Sequence, residues 1–362
     1  MENRTRVFAA TGLTVLIFLL VQLGALALVE PFQRAGYQQT PDPSDPMNSL
    51  VYVGAILVMT GVMLAIMKLD VEWLLRGAII FTSGLLSWYV FSVVVPAWLV
   101  VEVGGAPVNL VALGLAVAVA VALAVHPEWY VIDAAGVLMG AGAGGLFGIS
   151  FGLLPAIILL TVLAVYDAIS VYGTEHMLTL ASGVMDLKIP VILVIPLSLS
   201  YSFLDEGTAE ESEAGEADED RPTGDATDAS AADGGRTRVA DAEADDETEV
   251  DAAAETDAEA ERPGTGERDA FFIGLGDAVM PTVMVASAAF FAPAEPLVSG
   301  IALNLPALTA MVGTTAGLLA LLWMVMKGRA HAGLPLLNGG AIGGYLVGAL
   351  ASGMTLVQAL GL

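Results

Sequence analysis

Two aspartates lie in stretches that otherwise read as membrane-buried helix. Asp277 sits in FFIGLGDAVMP (residues 271–281) and Asp167 in LAVYDAISVYG (residues 163–173). A carboxyl group in hydrocarbon is costly and normally faces a bundle interior or a water-filled cavity, so each is a candidate for chemistry. Asp167 is five residues before the cytoplasmic end of its apolar run at 153–172, and Asp277 is six residues after the start of its run at 271–292. At 1.5 Å per helical residue these are depths of about 7.5 Å and about 9 Å, so antiparallel neighbours would bring the two carboxyls to one level. Two carboxyls held close in a low dielectric cannot both ionise cheaply, and the pair shares one proton. One can then take a proton from a water while the other donates to a carbonyl oxygen or a leaving nitrogen, which hydrolyses an amide with no cofactor or covalent intermediate. Gly274 and Gly276 lack side chains, so a neighbouring helix or an extended chain can approach Asp277. A third acid, Asp133, stands near Tyr130 at the start of its run; it is expected to be an interfacial anchor that reaches the headgroups.

The elements that must hold this pair are membrane spans. The chain has 362 residues, 56% hydrophobic and 14% charged, against about 25% charged in a soluble domain. Apolar runs at about 7–29, 49–67, 77–98, 108–125, 131–149, 153–172, 271–292, 300–326 and 335–360 predict nine transmembrane helices in an all-α polytopic membrane protein. No series of short alternating strands suggests a β-barrel. Arg4 and Arg6 precede the first run, and Ala25-Leu26-Ala27 resembles a cleavage site. That run is longer than a signal-peptide core of about 7–15 residues, so it is expected to remain as an anchor. With nine alternating spans Arg4, Arg6, Lys68, Arg76, Lys188, Lys327 and Arg329 fall on one side. The N-terminus is then cytoplasmic and the C-terminus extracellular in the cell membrane.

Acidity is local. Residues 204–269 hold 25 Asp or Glu and 5 Arg, and the remainder 14 against 8. That segment has too little apolar surface to fold and is expected to be a disordered, solvated cytoplasmic linker. It divides the chain into a six-helix block (1–203), the linker (204–269) and a three-helix block (270–362). The stretch at 176–200 is apolar but interrupted by Gly183, Asp186, Lys188, Pro190 and Pro196, so it reads as a short amphipathic or re-entrant element. Glycine ladders at 136–148 and 338–348 predict close helix packing, and Asn304, Pro306 and Asn338 predict interhelical hydrogen bonds and local bends. The chain has no cysteine, and His126, His176 and His331 are scattered, so neither a metal site nor a bound cofactor is expected.

At the level of motifs the chain resembles the GxGD intramembrane aspartyl proteases, the presenilin and signal peptide peptidase family with its archaeal homologues. Tyr166-Asp167 is similar to the family's Tyr-Asp motif on helix six, and Gly274-Leu275-Gly276-Asp277 to its Gly-Leu-Gly-Asp motif on helix seven. Ala278-Val279-Met280-Pro281 looks more like the signal peptide peptidase and archaeal branch. The resemblance implies a presenilin-like nine-helix fold, a catalytic pair of Asp167 and Asp277, and support from Tyr166, Gly274, Leu275 and Gly276. It implies endopeptidase action on transmembrane segments of membrane-protein or signal-peptide substrates within the lipid bilayer, with no nucleic acid involved. The third family motif, Pro-Ala-Leu, aligns with Ala332-Gly333-Leu334; only Leu334 matches, followed by the family's frequent proline as Pro335. Gly333, Leu334 and Pro335 are the expected substrate-binding residues, with backbone left open to an extended chain.

Two other readings of buried paired aspartates stand beside this one. A proton- or sodium-coupled secondary transporter uses such groups on glycine-interrupted helices, although residues 1–125 contain no second copy of either aspartate motif. A scaffold that binds membrane helices without cutting them is the third.

Overall fold

The computed structural model describes residues 2–69, 72–103, 106–173, 192–196, 270–298, 300–327 and 332–362. The acidic linker at 204–269, most of the interrupted stretch at 176–200, Lys188, Arg329, His176 and His331 lie outside the described residues. Among the described residues there are nine apolar helices: α1 Glu2–Arg34, α2 Met47–Lys68, α3 Glu72–Val94, α4 Leu110–Val125, α5 Trp129–Ser150, α6 Leu153–Gly173, α7 Leu275–Phe291, α8 Leu305–Val325 and α9 Leu334–Ala351. A short α10, Leu356–Ala359, closes the chain. Seven of the nine are long and apolar enough to cross a membrane, while α4 and α7 are shorter.

The helices follow the expected apolar runs, with departures that have local causes. Span three was expected to reach residue 98, but α3 ends at Val94, just before Pro96, and the chain turns into a hairpin of β1 (Val100–Val103) and β2 (Ala106–Asn109). Asn109 then caps α4, its side chain accepting from the Val111 and Ala112 amides. Helix α8 starts at Leu305 because Asn304 caps it through the Ala307 amide (2.9 Å), with Pro306 in the first turn. The expected ninth span stops at Ala351, where Gly353 adopts a positive φ of 82°. The chain folds back into α10, and the Tyr345 hydroxyl donates to the Ala359 carbonyl at 2.6 Å.

Helix α5 is the centre. Its glycines let α1 and α7 approach closely: a Cβ at Gly144 would lie 2.6 Å from Thr282 of α7, one at Gly148 would overlap Ala286, and one at Gly24 of α1 would lie 2.8 Å from Ala141. Helices α8 and α9 form a second tight seam, where a Cβ at Gly313, Gly317, Gly340 or Gly344 would run into a backbone carbonyl of the facing helix. Helix α9 also docks on α6, where the Asn338 side-chain amide donates to the Leu160 carbonyl at 3.0 Å. Asn304 similarly ties α8 to the Ala288 carbonyl of α7 (2.9 Å).

The stretch expected as an amphipathic or re-entrant element contains a strand. Within it, β3 (Ile192–Pro196) pairs antiparallel with β4 (Ala270–Gly274), in the register Ile192↔Gly274 to Pro196↔Ala270. Leu193, Val194 and Ile195 are buried. The strand β4 runs without a break into α7.

Candidate active site

Three segments bring the expected residues together. Helix α6 presents Asp167, which is buried (8% exposed). The β4–α7 junction presents Asp277 in the first helical turn, and the start of α9 closes over both. Asp167 Oδ2 accepts the Leu334 amide at 3.0 Å, and the Gly333 amide also bonds to this carboxyl. The first amides of a helix have no partner within it, and Gly333 brings no capping side chain, so Asp167 supplies the cap from another helix. A carboxylate at a helix N-terminus is favourable by about 0.3–1 kcal/mol.

Asp277 meets the same segment from the other side. A Cβ at Gly333 would stand 3.4 Å from Asp277 Oδ2, and one at Gly274 would stand at the same distance. Gly333 therefore lies between the two carboxyls, and Asp167 and Asp277 are near enough to interact electrostatically. A Cβ at Gly276 would meet nothing within 4 Å, so open space borders Asp277 there. Gly274 has φ −60° and ψ 133°. Its value is room beside the carboxyl rather than an unusual backbone angle. Pro281 lacks the N–H that would bond the Asp277 carbonyl one turn back, so the helix is loosened at that residue. Leu275 packs inward near Gly136 and Gly140 of α5.

Some expectations change. The backbone at the start of α9 is not open throughout, because the Leu334 amide is taken by Asp167. Tyr166 is 40% exposed and looks outward from α6. Tyr172 was not singled out in the sequence, yet its hydroxyl accepts the Ala332 amide at 3.4 Å and so holds the same segment. Only its five-residue separation from Asp167 in YDAISVY could have hinted at this. Asp133 is no headgroup anchor. It is buried, and its Oδ1 accepts the Val194 amide of β3 at 2.8 Å. Among the described residues no cluster of His, Cys, Asp or Glu could hold a metal ion.

A paired-aspartate site at a loosened helix start inside an apolar bundle is also what known proteins of one kind contain. The family model for signal-peptide peptidase, presenilin aspartyl protease matches residues 15–354. The chain belongs to this family. Two solved structures of a presenilin family intramembrane aspartate protease, in different crystal forms, are similar to it at 30% identity. The first covers 95% of this chain and 99% of the other with a TM-score of 0.57. The second covers 93% and 96% with a TM-score of 0.54. No curated protein matches. The chain is thus a multi-pass membrane protein and an intramembrane aspartyl protease. This decides against the transporter and the idle scaffold. The likeness extends across the whole membrane portion and not just the two short motifs.

Proposed function

We propose that Asp167 and Asp277 are the catalytic pair of this presenilin-family protease and that it cuts peptide bonds within transmembrane segments of other proteins. The observation that carries the reading is their convergence on one residue. Gly333 contributes its amide to Asp167, and its α-carbon faces the Asp277 carboxyl. One carboxyl takes a proton from a water as the water oxygen bonds to the scissile carbonyl carbon, and the other gives its proton to the carbonyl oxygen. Collapse of that tetrahedral intermediate breaks the C–N bond and returns a proton to the nitrogen. No group outside the pair and the water is required.

A helical substrate hides its scissile carbonyl in an intrahelical hydrogen bond, so it must unwind locally to be cut. The extended backbone of β4 leads into Asp277, and the Gly333-Leu334-Pro335 segment flanks both carboxyls. Together they suit a substrate taken up as a strand. The proposed orientation puts the N-terminus in the cytoplasm and the C-terminus outside the cell membrane, with α4 and α7 crossing as well. It is supported by contacts at one end of the bundle. Gly152 at the α5–α6 turn donates to the Pro43 carbonyl at 2.8 Å, and Ser44, Phe291, Pro293 and Gly361 line one cavity there. The ends of α1, α5, α7 and α9 gather on a single side, as alternation demands. The proposed division at residues 204 and 269 separates α1–α6 from α7–α9.

The test is cleavage of a membrane-spanning reporter by purified protein in proteoliposomes. Asp167→Asn and Asp277→Asn should each abolish product, while Glu102→Gln, on the exposed β1 strand, should cut normally. Cleavage by either dyad variant at the wild-type rate would refute the assignment.

A further inference from the structure

The aspartate outside the pair has a defined job in the geometry. Asp133 lies in the second turn of α5, and its acceptor contact spans 61 residues of sequence to the Val194 amide. In an antiparallel pair each residue sends its N–H and C=O to the same side. A Val194 amide bound to Asp133 therefore points away from β4. Val194 and Phe272 are then a non-hydrogen-bonded pair, and the cross-strand bonds fall on Leu193–Ile273 and Ile195–Phe271. Asp133 thus seals the outer edge of β3 and selects which residues of β3 face β4.

The same face of α5 continues this contact. Gly136, one turn on, would place a Cβ 2.7 Å from Leu193 of β3 and 3.7 Å from Leu275 of α7. Gly140, a turn further, would place one 3.5 Å from Leu275. Gly144 and Gly148 then receive Thr282 and Ala286 of α7. Spaced by three and then four residues, Asp133, Gly136, Gly140, Gly144 and Gly148 form one stripe. That stripe seats β3, the β4–α7 junction and α7 in sequence, and the junction carries Asp277.

We infer that Asp133 is a positioning residue for proteolysis: by holding the Val194 amide it fixes the register of β3 on β4, and through β4 the placement of Gly274 and Asp277. A slip of one residue would turn every β3 side chain to the opposite face and move the strand end that enters α7. The inference rests on the proteolytic reading above and adds the residue that sets where the cut falls.

The experiment measures cleavage kinetics and maps the cut bond by mass spectrometry, with full-length protein in proteoliposomes and the same reporter. Asp133→Ala removes the acceptor, whereas Asp133→Asn keeps an oxygen that can take the same amide. The expected result for Asp133→Ala is a fall in kcat/KM of about ten-fold with displaced or multiple cut positions. Asp133→Asn should stay within about three-fold of wild type and cut at the original bond. Val194→Pro deletes the N–H from the other end and should reproduce the alanine result, which also decides the matter if Asp133→Ala does not fold. Wild-type rate and cut position in Asp133→Ala or Val194→Pro would overturn the inference. So would an equal loss in Asp133→Asn and Asp133→Ala, since the carboxylate would then act otherwise than by accepting this amide. If wild type cuts and Asp277→Asn does not, such results remove Asp133 alone. If wild type does not cut, the proteolytic reading falls and takes this one with it.

Discussion

Gly333 is where side-chain size meets chemistry. A methyl group there would touch Asp277 Oδ2 and Leu321 at 3.4 Å, the near limit of ordinary contact. Gly333→Ala should therefore keep measurable cleavage. Gly333→Val should lose about a hundred-fold or more, because a branched side chain must push either Asp277 or the Leu334 amide out of place; reporter kinetics on the two variants will separate them. Tyr172→Phe removes one long hydrogen bond to Ala332 and should reduce kcat/KM by no more than about ten-fold. The dyad could be found from sequence because a carboxyl in an apolar run has few explanations and two of them fall at matched depth. Asp133 was misread because its partner is Val194, 61 residues away on a strand that local pattern does not announce. Proximity to Tyr130 favoured the interface, and only tertiary contact could correct that.

Helix packing discriminates between glycines that look alike in sequence. In α9, Gly340 and Gly344 would drive a Cβ into the carbonyls of Gly313 and Thr309 on α8, whereas Gly339 and Gly343 would meet nothing within 4 Å. Gly344→Ala should destabilise by about 1–3 kcal/mol through overpacking. Gly343→Ala should be neutral or gain up to about 1 kcal/mol from helix propensity. Thermal inactivation in detergent distinguishes the two. The existence of both glycine ladders was evident from composition, but which rungs bear contact was not, since one residue of helical rotation exchanges buried for exposed. The strand β3 was also hidden: Gly183, Asp186 and Pro190 signalled a broken helix without revealing that Ile192–Pro196 would pair with Ala270–Gly274.

For the molecule as a whole, topology is the quantity still to measure, and the cysteine-free chain is a ready background for it. Single cysteines replacing exposed Asp42 or Glu295 should react with a membrane-impermeant maleimide in intact cells. Those replacing exposed Leu69 or Lys327 should react only after permeabilisation. The reverse pattern would invert the proposed orientation, and Asp42 and Glu295 labelling from different sides would break the alternation. Periodicity alone located all nine apolar helices, because hydrocarbon imposes a long uniform signal on each of them. Their arrangement around α5 was beyond it, since lipid-facing and buried apolar surfaces read the same in one dimension.

The carbonyl-to-glycine seam between α8 and α9 has a mechanical corollary. Backbones that close cannot slide past each other without lifting apart, so the two helices travel as one rigid body. Any opening that admits an unwound guest must then occur along the looser boundary with α6, and the first bond to yield there is the one between Leu334 and Asp167. Admission of the guest and release of that carboxyl for chemistry would be a single event.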